Sequence, residues 1–267
     1  MPGTLEEGQV RAMFDRIAGV YDRMNGVMTA GLHHGWRERA ADLAEVGPGD
    51  RVLDVACGTG DLAIELDRRV APGGEVVGCD FSAAMLERAR TKAPGLSWAW
   101  ANALELPYPD DAFDAATIGF GARNLSDLPR GLAEMARVVR PGGRVVVLEI
   151  TTPRRPPLST FHRLWFDRAI PLLGRAAGDP AAYEYLPSSV RRFPAPEALA
   201  ARMVAVGLDD VRWILTAGGI IALHVGRPTG AGAGRGAGAG RGASPRRVTG
   251  AGGARSATDA ADSPTVV

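Results

Sequence analysis

A chain of 267 residues, 46% hydrophobic and 23% charged, is long enough for one large core and polar enough for a soluble globule. Its formal net charge of +1 gives no whole-chain case for nucleic acid or an anionic membrane. No run approaches the roughly 20 apolar residues that span a bilayer. The start MPGTLEEGQV lacks the layout of a secretory signal, and two cysteines, Cys57 and Cys79, argue against a disulfide scaffold and for a reducing cytoplasm.

From Asp50 to Ile150 strand-like and helix-like runs alternate. RVLDV (51–55) is a short apolar run that ends in a glycine-rich turn, and DLAIELDRRV (61–70) has helical periodicity through Leu62, Ile64, Leu66 and Val70. EVVGCD (75–80) reads as a strand and SAAMLERARTK (82–92) as a helix with Ser82 as its N-cap. LSWAW (96–100) and AFDAATIGF (112–120) are the next strands. SDLPRGLAEMARVVR (126–140) is a helix closed by Pro141-Gly142-Gly143, and RVVVLEI (144–150) is apolar throughout, as a central parallel strand is.

After Ile150 the alternation lapses into a Pro-rich, aromatic-bearing insertion, 153–194, expected to act as a lid. PEALAARMVAVG (196–207) reads as a helix, and VRWILTAGGIIALHVG (211–226) as two closing strands joined at Ala217-Gly218-Gly219. From Thr229 to Val267 the chain is mostly Gly, Ala, Arg, Ser and Thr; such a tail buries too little surface to offset its ordering entropy, so disorder is expected. Residues 1–228 are therefore expected to form one α/β domain: a doubly wound, mostly parallel, seven-stranded Rossmann-like sheet with helices on both faces. Ligands of such sheets sit at the carboxyl ends of the strands, near the switch in strand order.

DVACGTGDLA (54–63) sets Gly58, Thr59 and Gly60 between a strand and a helix, where glycines allow the tight turn and close ligand approach. By itself the turn is ambiguous, since Gly58, Gly60 and Ala63 also satisfy a loose dinucleotide fingerprint and leave a nicotinamide-dependent oxidoreductase as an alternative. Asp54 and Asp61 bracket the turn. Carboxylates there disfavour a pyrophosphate but suit the sulfonium and ammonium groups of S-adenosyl-L-methionine. Asp80, ending the second strand, is placed for ribose hydroxyls of either cofactor. Asn102 and Ala103, after the third strand, are placed for an adenine edge. The turn is unbroken, which argues against a binding module that has lost its cofactor. No histidine or cysteine cluster has metal-ligand spacing, so no metal is expected.

The order DVACGTGD, GCD, ANALELPYPDDAFD and VVRPGGRVVVLE resembles class I S-adenosylmethionine-dependent methyltransferases. YDRMNGVMTAGLHHGW (21–36), FGARNLSD (120–127), AIPLLGR (169–175), YEYLPSSVRRFP (183–194) and LTAGGIIALHVG (215–226) are similar to signatures of the ubiquinone/menaquinone biosynthesis C-methyltransferase family. The resemblance runs from about Val10 to Arg227 and leaves the tail without a counterpart. It implies C-methylation of a prenylated quinol, demethylmenaquinol first and the benzoquinol precursor of ubiquinone second.

By position, the resemblance puts cofactor contacts at Thr59, Asp80, Asn102, Ala103 and Gly119; relatives often have serine at the last, where this chain offers only backbone. An aromatic carbon attacks a sulfonium methyl only when a neighbouring hydroxyl is ionised, so the site must align the partners and favour a phenolate. Arg123 is expected to stabilise that phenolate, Asn124 to orient the quinol oxygen, and His33, in a helical cap of residues 8–46 over the cofactor, to act as base. Tyr21, Asp22, Asn25 and Trp36 are expected to close the pocket. Phe161, Leu164, Trp165, Phe166, Ile170 and Leu172 are expected to line a prenyl channel or touch a bilayer. A transient membrane-surface contact and a homodimer are the partners considered besides the quinol, with no nucleic acid.

Overall fold

The computed structural model describes residues 6–170 and 180–229; the expectations for the tail from residue 230 and for Leu172 lie outside them. Seven strands form one sheet: β1 (Arg51–Val55), β2 (Glu75–Asp80), β3 (Ser97–Trp100), β4 (Phe113–Gly119), β5 (Val139–Ile150), β6 (Leu208–Thr216) and β7 (Ile221–Pro228). The described helices are α1 (Glu7–Ile17), α2 (Tyr21–Thr29), α3 (His33–Leu43), α4 (Asp61–Val70), α5 (Ala83–Lys92), α6 (Leu128–Val138), α7 (Leu158–Leu164), α8 (Pro180–Arg192) and α9 (Pro196–Ala205). A 3-10 turn, Ala122–Asn124, follows β4, and a π-helical turn, Trp165–Ala169, extends α7.

The strand order is β3-β2-β1-β4-β5-β7-β6, parallel except for β7, which runs antiparallel to β5 and β6. The order reverses between β1 and β4, so the switch point lies at the carboxyl ends of these two strands. Two apolar layers hold helices on both faces. Leu62, Leu66 and Val70 of α4 pack with Ala40, Ala41 and Ala44 against Val52, Val76 and Val146, while Leu132, Met135 and Val138 of α6 pack with Leu199 and Met203 against Leu53, Val55 and Ile118. Helix starts follow local chemistry: Ser82 Oγ accepts from the Met85 N–H, and the Asp127 carboxylate from the Arg130 N–H.

Two strands begin earlier than their apolar runs. β5 pairs at Phe113↔Val139 and resumes at Ala115↔Arg144, so the Pro-Gly-Gly step, with Gly142 at φ +81°, is an irregularity inside a strand rather than its boundary. β6 begins at Leu208, with a register shift between Asp209 and Arg212 where Asp210 takes φ +52°.

Candidate active site

The turn after β1 is built around two left-handed glycines, Gly58 at φ +56° and Gly60 at φ +86°. A Cβ on Gly60 would also collide with the Trp98 indole, which β3 lays across the turn. The turn opens one wall of a cleft of about 890 Å³ at the switch point. Asp54, Gly58, Thr59, Asp80, Asn102, Ala103, Gly119 and Asn124 line this cleft; Gly60 supports it from behind as the residue before α4.

Strand register sets the acids. Asp54 lies opposite Thr117 on β4 and accepts its Oγ1 hydrogen bond at 2.7 Å. The other Asp54 oxygen, Oδ2, is buried and has no hydrogen-bond partner among the described residues. Burial raises the Asp54 carboxyl to about 7, against the opposing Thr117 bond and Arg37 charge. Asp80 accepts from the Gly58 N–H at 2.9 Å and the Ser82 N–H at 2.8 Å, and burial lifts it to about 6 despite these bonds. Asp61 differs from its reading in the sequence. Lys92 lies 2.7 Å away and Arg37 3.5 Å, and together they outweigh its burial and hold its carboxyl below the usual range. The charge that distinguishes this turn from a phosphate site is therefore that of Asp54.

Three carboxylates on α1 and α2 pin these helices over the strand ends. Glu7 accepts from Asn102 Nδ2 at 2.8 Å, Asp15 from Ser82 Oγ at 2.5 Å, and Asp22 from Thr59 Oγ1 at 2.5 Å and Lys92 Nζ at 2.6 Å. Each reaches a different loop: those after β3, β2 and β1. Glu7 and Asp15 fall about two helical turns apart on α1 and so share a face, a spacing that sequence reasoning passed over; Asp22 starts the next helix.

A second, apolar cavity of about 1240 Å³ adjoins the cleft, and Tyr21, Arg37 and Phe120 line both. Asn25, Trp36, Phe161, Trp165, Phe166 and Ile170 line the apolar cavity; Leu164 is exposed. The three catalytic candidates are divided. Asn124 borders the cleft, with Oδ1 buried and without a partner among the described residues, whereas Arg123 and His33 line the apolar cavity.

Arg123 Nη1 lies 3.0 and 3.1 Å from the two oxygens of Glu149, a β5 residue only 1% exposed. Its charge is thereby balanced inside the protein, and its Nε is buried without a hydrogen-bond partner among the described residues. His33 is buried beside Arg37, and burial first, then the charges of Arg37 and His34, bring its pKa down to about 4. It is neutral near pH 7 and a weak base. His162, stacked on Phe166 at 4.2 Å, also lines this cavity.

Compared with known proteins, residues 3–227 match the ubiE/COQ5 methyltransferase family. The chain belongs to this family. A demethylmenaquinone methyltransferase of Thermus thermophilus is 48% identical over 219 residues, covering 80% of this chain and 99% of the relative. A ubiquinone/menaquinone biosynthesis C-methyltransferase of Geobacter sulfurreducens is 40% identical, covering 83% of this chain and 89% of the relative. The crystal structure of a SAM-dependent methyltransferase from Thermotoga maritima shares the fold, with a TM-score of 0.61 over 82% of this chain and 99% of that one, at 19% identity.

For a member of the ubiE/COQ5 family the oxidoreductase alternative falls away, and the resemblance seen in the signatures holds along the chain. Sequence reasoning passed over Arg37, Phe120, Glu149 and His162. Arg37 and Phe120 sit where cleft and cavity meet, with the guanidinium 5.5 Å from the ring centroid and Phe120 at φ +59°. At Gly119 a Cβ would stand 3.1 Å from a Leu62 methyl, so a serine fits there with a small shift of that side chain.

Proposed function

We propose that this methyltransferase transfers the methyl group of S-adenosylmethionine to a ring carbon of a prenylated quinol, demethylmenaquinol, giving menaquinol. One observation carries the reading: a cleft that holds a buried carboxylate oxygen without a partner among the described residues, Asp54 Oδ2, adjoins a large apolar cavity. The donor set fits the cofactor. Asp54 offers an anionic oxygen to an ammonium group, Asp80 a carboxylate to ribose hydroxyls, and Asn102 with Ala103 the site for the adenine. When bound, S-adenosylmethionine supplies a methyl group activated by its positive sulfur.

The chain's own residues do the rest. Tyr21, Arg37 and Phe120 hold the boundary at which the quinol ring must lie, within reach of both compartments. Asn124 presents a polar side chain there to a quinol oxygen. Arg123, balanced by Glu149, contributes fixed hydrogen-bonding groups and not a free charge. Aligning two reactants in this way is worth up to about 7–11 kcal/mol.

The apolar cavity suits the prenyl chain. Val27, Leu32 and Phe161 line it and are also exposed, at 61%, 60% and 56%. Exposed apolar groups around a cavity mouth favour contact with lipid, where a prenylated quinol resides. Among the described residues no helix is long and apolar enough to cross a membrane, so this contact is peripheral. The names borne by relatives include both the menaquinone and the ubiquinone pathway; the naphthoquinol is preferred because the 48% identical relative bears the former alone. The test is transfer from labelled S-adenosylmethionine to reduced demethylmenaquinone against the demethylated ubiquinone precursor. Preference for the naphthoquinol is expected; transfer to the benzoquinol alone would move the protein to the other pathway.

A further inference from the structure

We propose that His33 serves this reaction as a hydrogen-bond donor, through Nε2–H in the tautomer that Arg37 imposes, and not as its base. The inference rests on the quinol reading above. Arg37 Nη1 lies 2.5 Å from His33 Nδ1. A guanidinium carries donors only, so Nδ1 must be the accepting lone pair, and the ring proton of the neutral imidazole must sit on Nε2. Protonating Nδ1 would set one N–H against another.

Arg37 is held in place to enforce this. It is buried, its Nη1 also donates to the His33 carbonyl at 3.2 Å, its Nη2 lies 3.5 Å from Asp61 Oδ2, and its guanidinium packs over Phe120. The other charged or titratable groups about the ring are His34, its ring tilted against that of His33 with centroids 4.0 Å apart, and the Asp61 and Asp22 carboxylates, both already engaged by Lys92. His33 Nε2 makes no hydrogen bond within the described residues, and the side chain lines the apolar cavity.

An oxygen of a quinol entering that cavity finds in Nε2–H a donor with no competing partner. When the quinol O–H ionises, its proton passes to water, and the phenolate oxygen accepts from Nε2–H as its charge feeds the ring carbon. That carbon takes the methyl group as the donor's sulfonium C–S bond breaks, and the ring C–H proton then passes to water, restoring the aromatic phenolate. A neutral imidazole donor in an apolar site stabilises such an oxyanion without itself exchanging a proton.

The tautomer is read directly by nitrogen NMR of the wild-type protein with labelled histidine. The proposal expects His33 Nδ1 to resonate as a bare, pyridine-type nitrogen and Nε2 as a protonated, pyrrole-type one between pH 6 and 8. The reverse assignment, or an imidazolium in that range, overturns it. Turnover gives the second readout. His33→Gln keeps an N–H near the Nε2 position but cannot act as a base, and should lower kcat less than tenfold. His33→Leu should lower it about a hundredfold, the cost of an oxyanion donor, with cofactor affinity kept in both. Equal loss in both variants, with cofactor binding intact, would return His33 to the role of base. Wild-type protein that binds cofactor but methylates no quinol would instead sink the reading on which the inference rests, leaving the NMR result standing.

Discussion

Asp54 is held by two opposing demands. Burial opposes its ionisation, yet an ionised carboxylate is what a cationic cofactor needs. Its pKa of about 7 in the fold stands above the unfolded value, so the native chain binds more protons than the unfolded chain between about pH 4 and pH 7. Stability therefore falls as pH rises through that window, and the cost, roughly 2–4 kcal/mol, is complete above it. Asp54→Asn keeps an acceptor for Thr117 and removes the charge. It should raise Tm at pH 8 but not at pH 4, while weakening S-adenosylmethionine binding at least about 30-fold, the cost of losing one partner of a desolvated charge pair. Cofactor affinity in the wild type should likewise tighten as pH rises from about 6 to 8, with protons released on binding; calorimetry in two buffers of different ionisation heat measures this. At Arg123 the expectation is different. Removing one partner of its buried pair with Glu149 should cost about 3–5 kcal/mol, so Arg123→Ala should lose stability together with activity. Thermal unfolding of Arg123→Ala beside Arg123→Met/Glu149→Leu separates the two: the double variant should recover Tm without recovering turnover.

At the scale of elements, what the sequence made legible was whatever periodicity and turn chemistry encode. Strands β1 and β2 and helix α4 fall on the residues whose apolar spacing announces them, and Ser82 caps α5 as its position implies. The early starts of β5 and β6 were hidden because their first residues carry glycine, proline or acids around a bulge. Helix α3 hides its core face in alanines, whose small side chains give little apolar signal but let it pack closely on the sheet. Asp54 and Asp80 could be singled out in the sequence because one lies a few residues before the glycine turn and the other ends the next strand. Arg37, Glu149 and Phe120 were not, because their partners are brought to them only by the fold. The roof of α1 and α2 gives a prediction of this scale: Asp22→Ala breaks the bonds to Thr59 and Lys92, and should weaken cofactor binding three- to tenfold with little change in Tm, since exposed pairs contribute about 1 kcal/mol or less. Isothermal titration beside a melting curve checks both halves.

For the whole molecule, the cleft carries the buried acids Asp54 and Asp80, while the adjoining cavity is lined mainly by apolar side chains. The cleft lies under the roof, while the apolar cavity opens among exposed hydrophobic side chains of α2, the turn before α3, and α7. Phe161→Asp combined with Leu32→Asp should therefore reduce co-sedimentation with phospholipid vesicles and raise KM for a long-chain quinol dispersed in them. It should leave cofactor affinity unchanged, as neither residue borders the cleft.

The central claim is that this chain methylates a quinol ring carbon, and the redox state of the acceptor tests it most directly. Purified protein is given labelled S-adenosylmethionine and demethylmenaquinone, held reduced by dithionite in one reaction and oxidised in the other. Label in menaquinol under reducing conditions alone is the predicted result, because only a phenolate can direct electron density to that carbon. Equal transfer to the oxidised quinone, or none to either while the cofactor still binds, would contradict it.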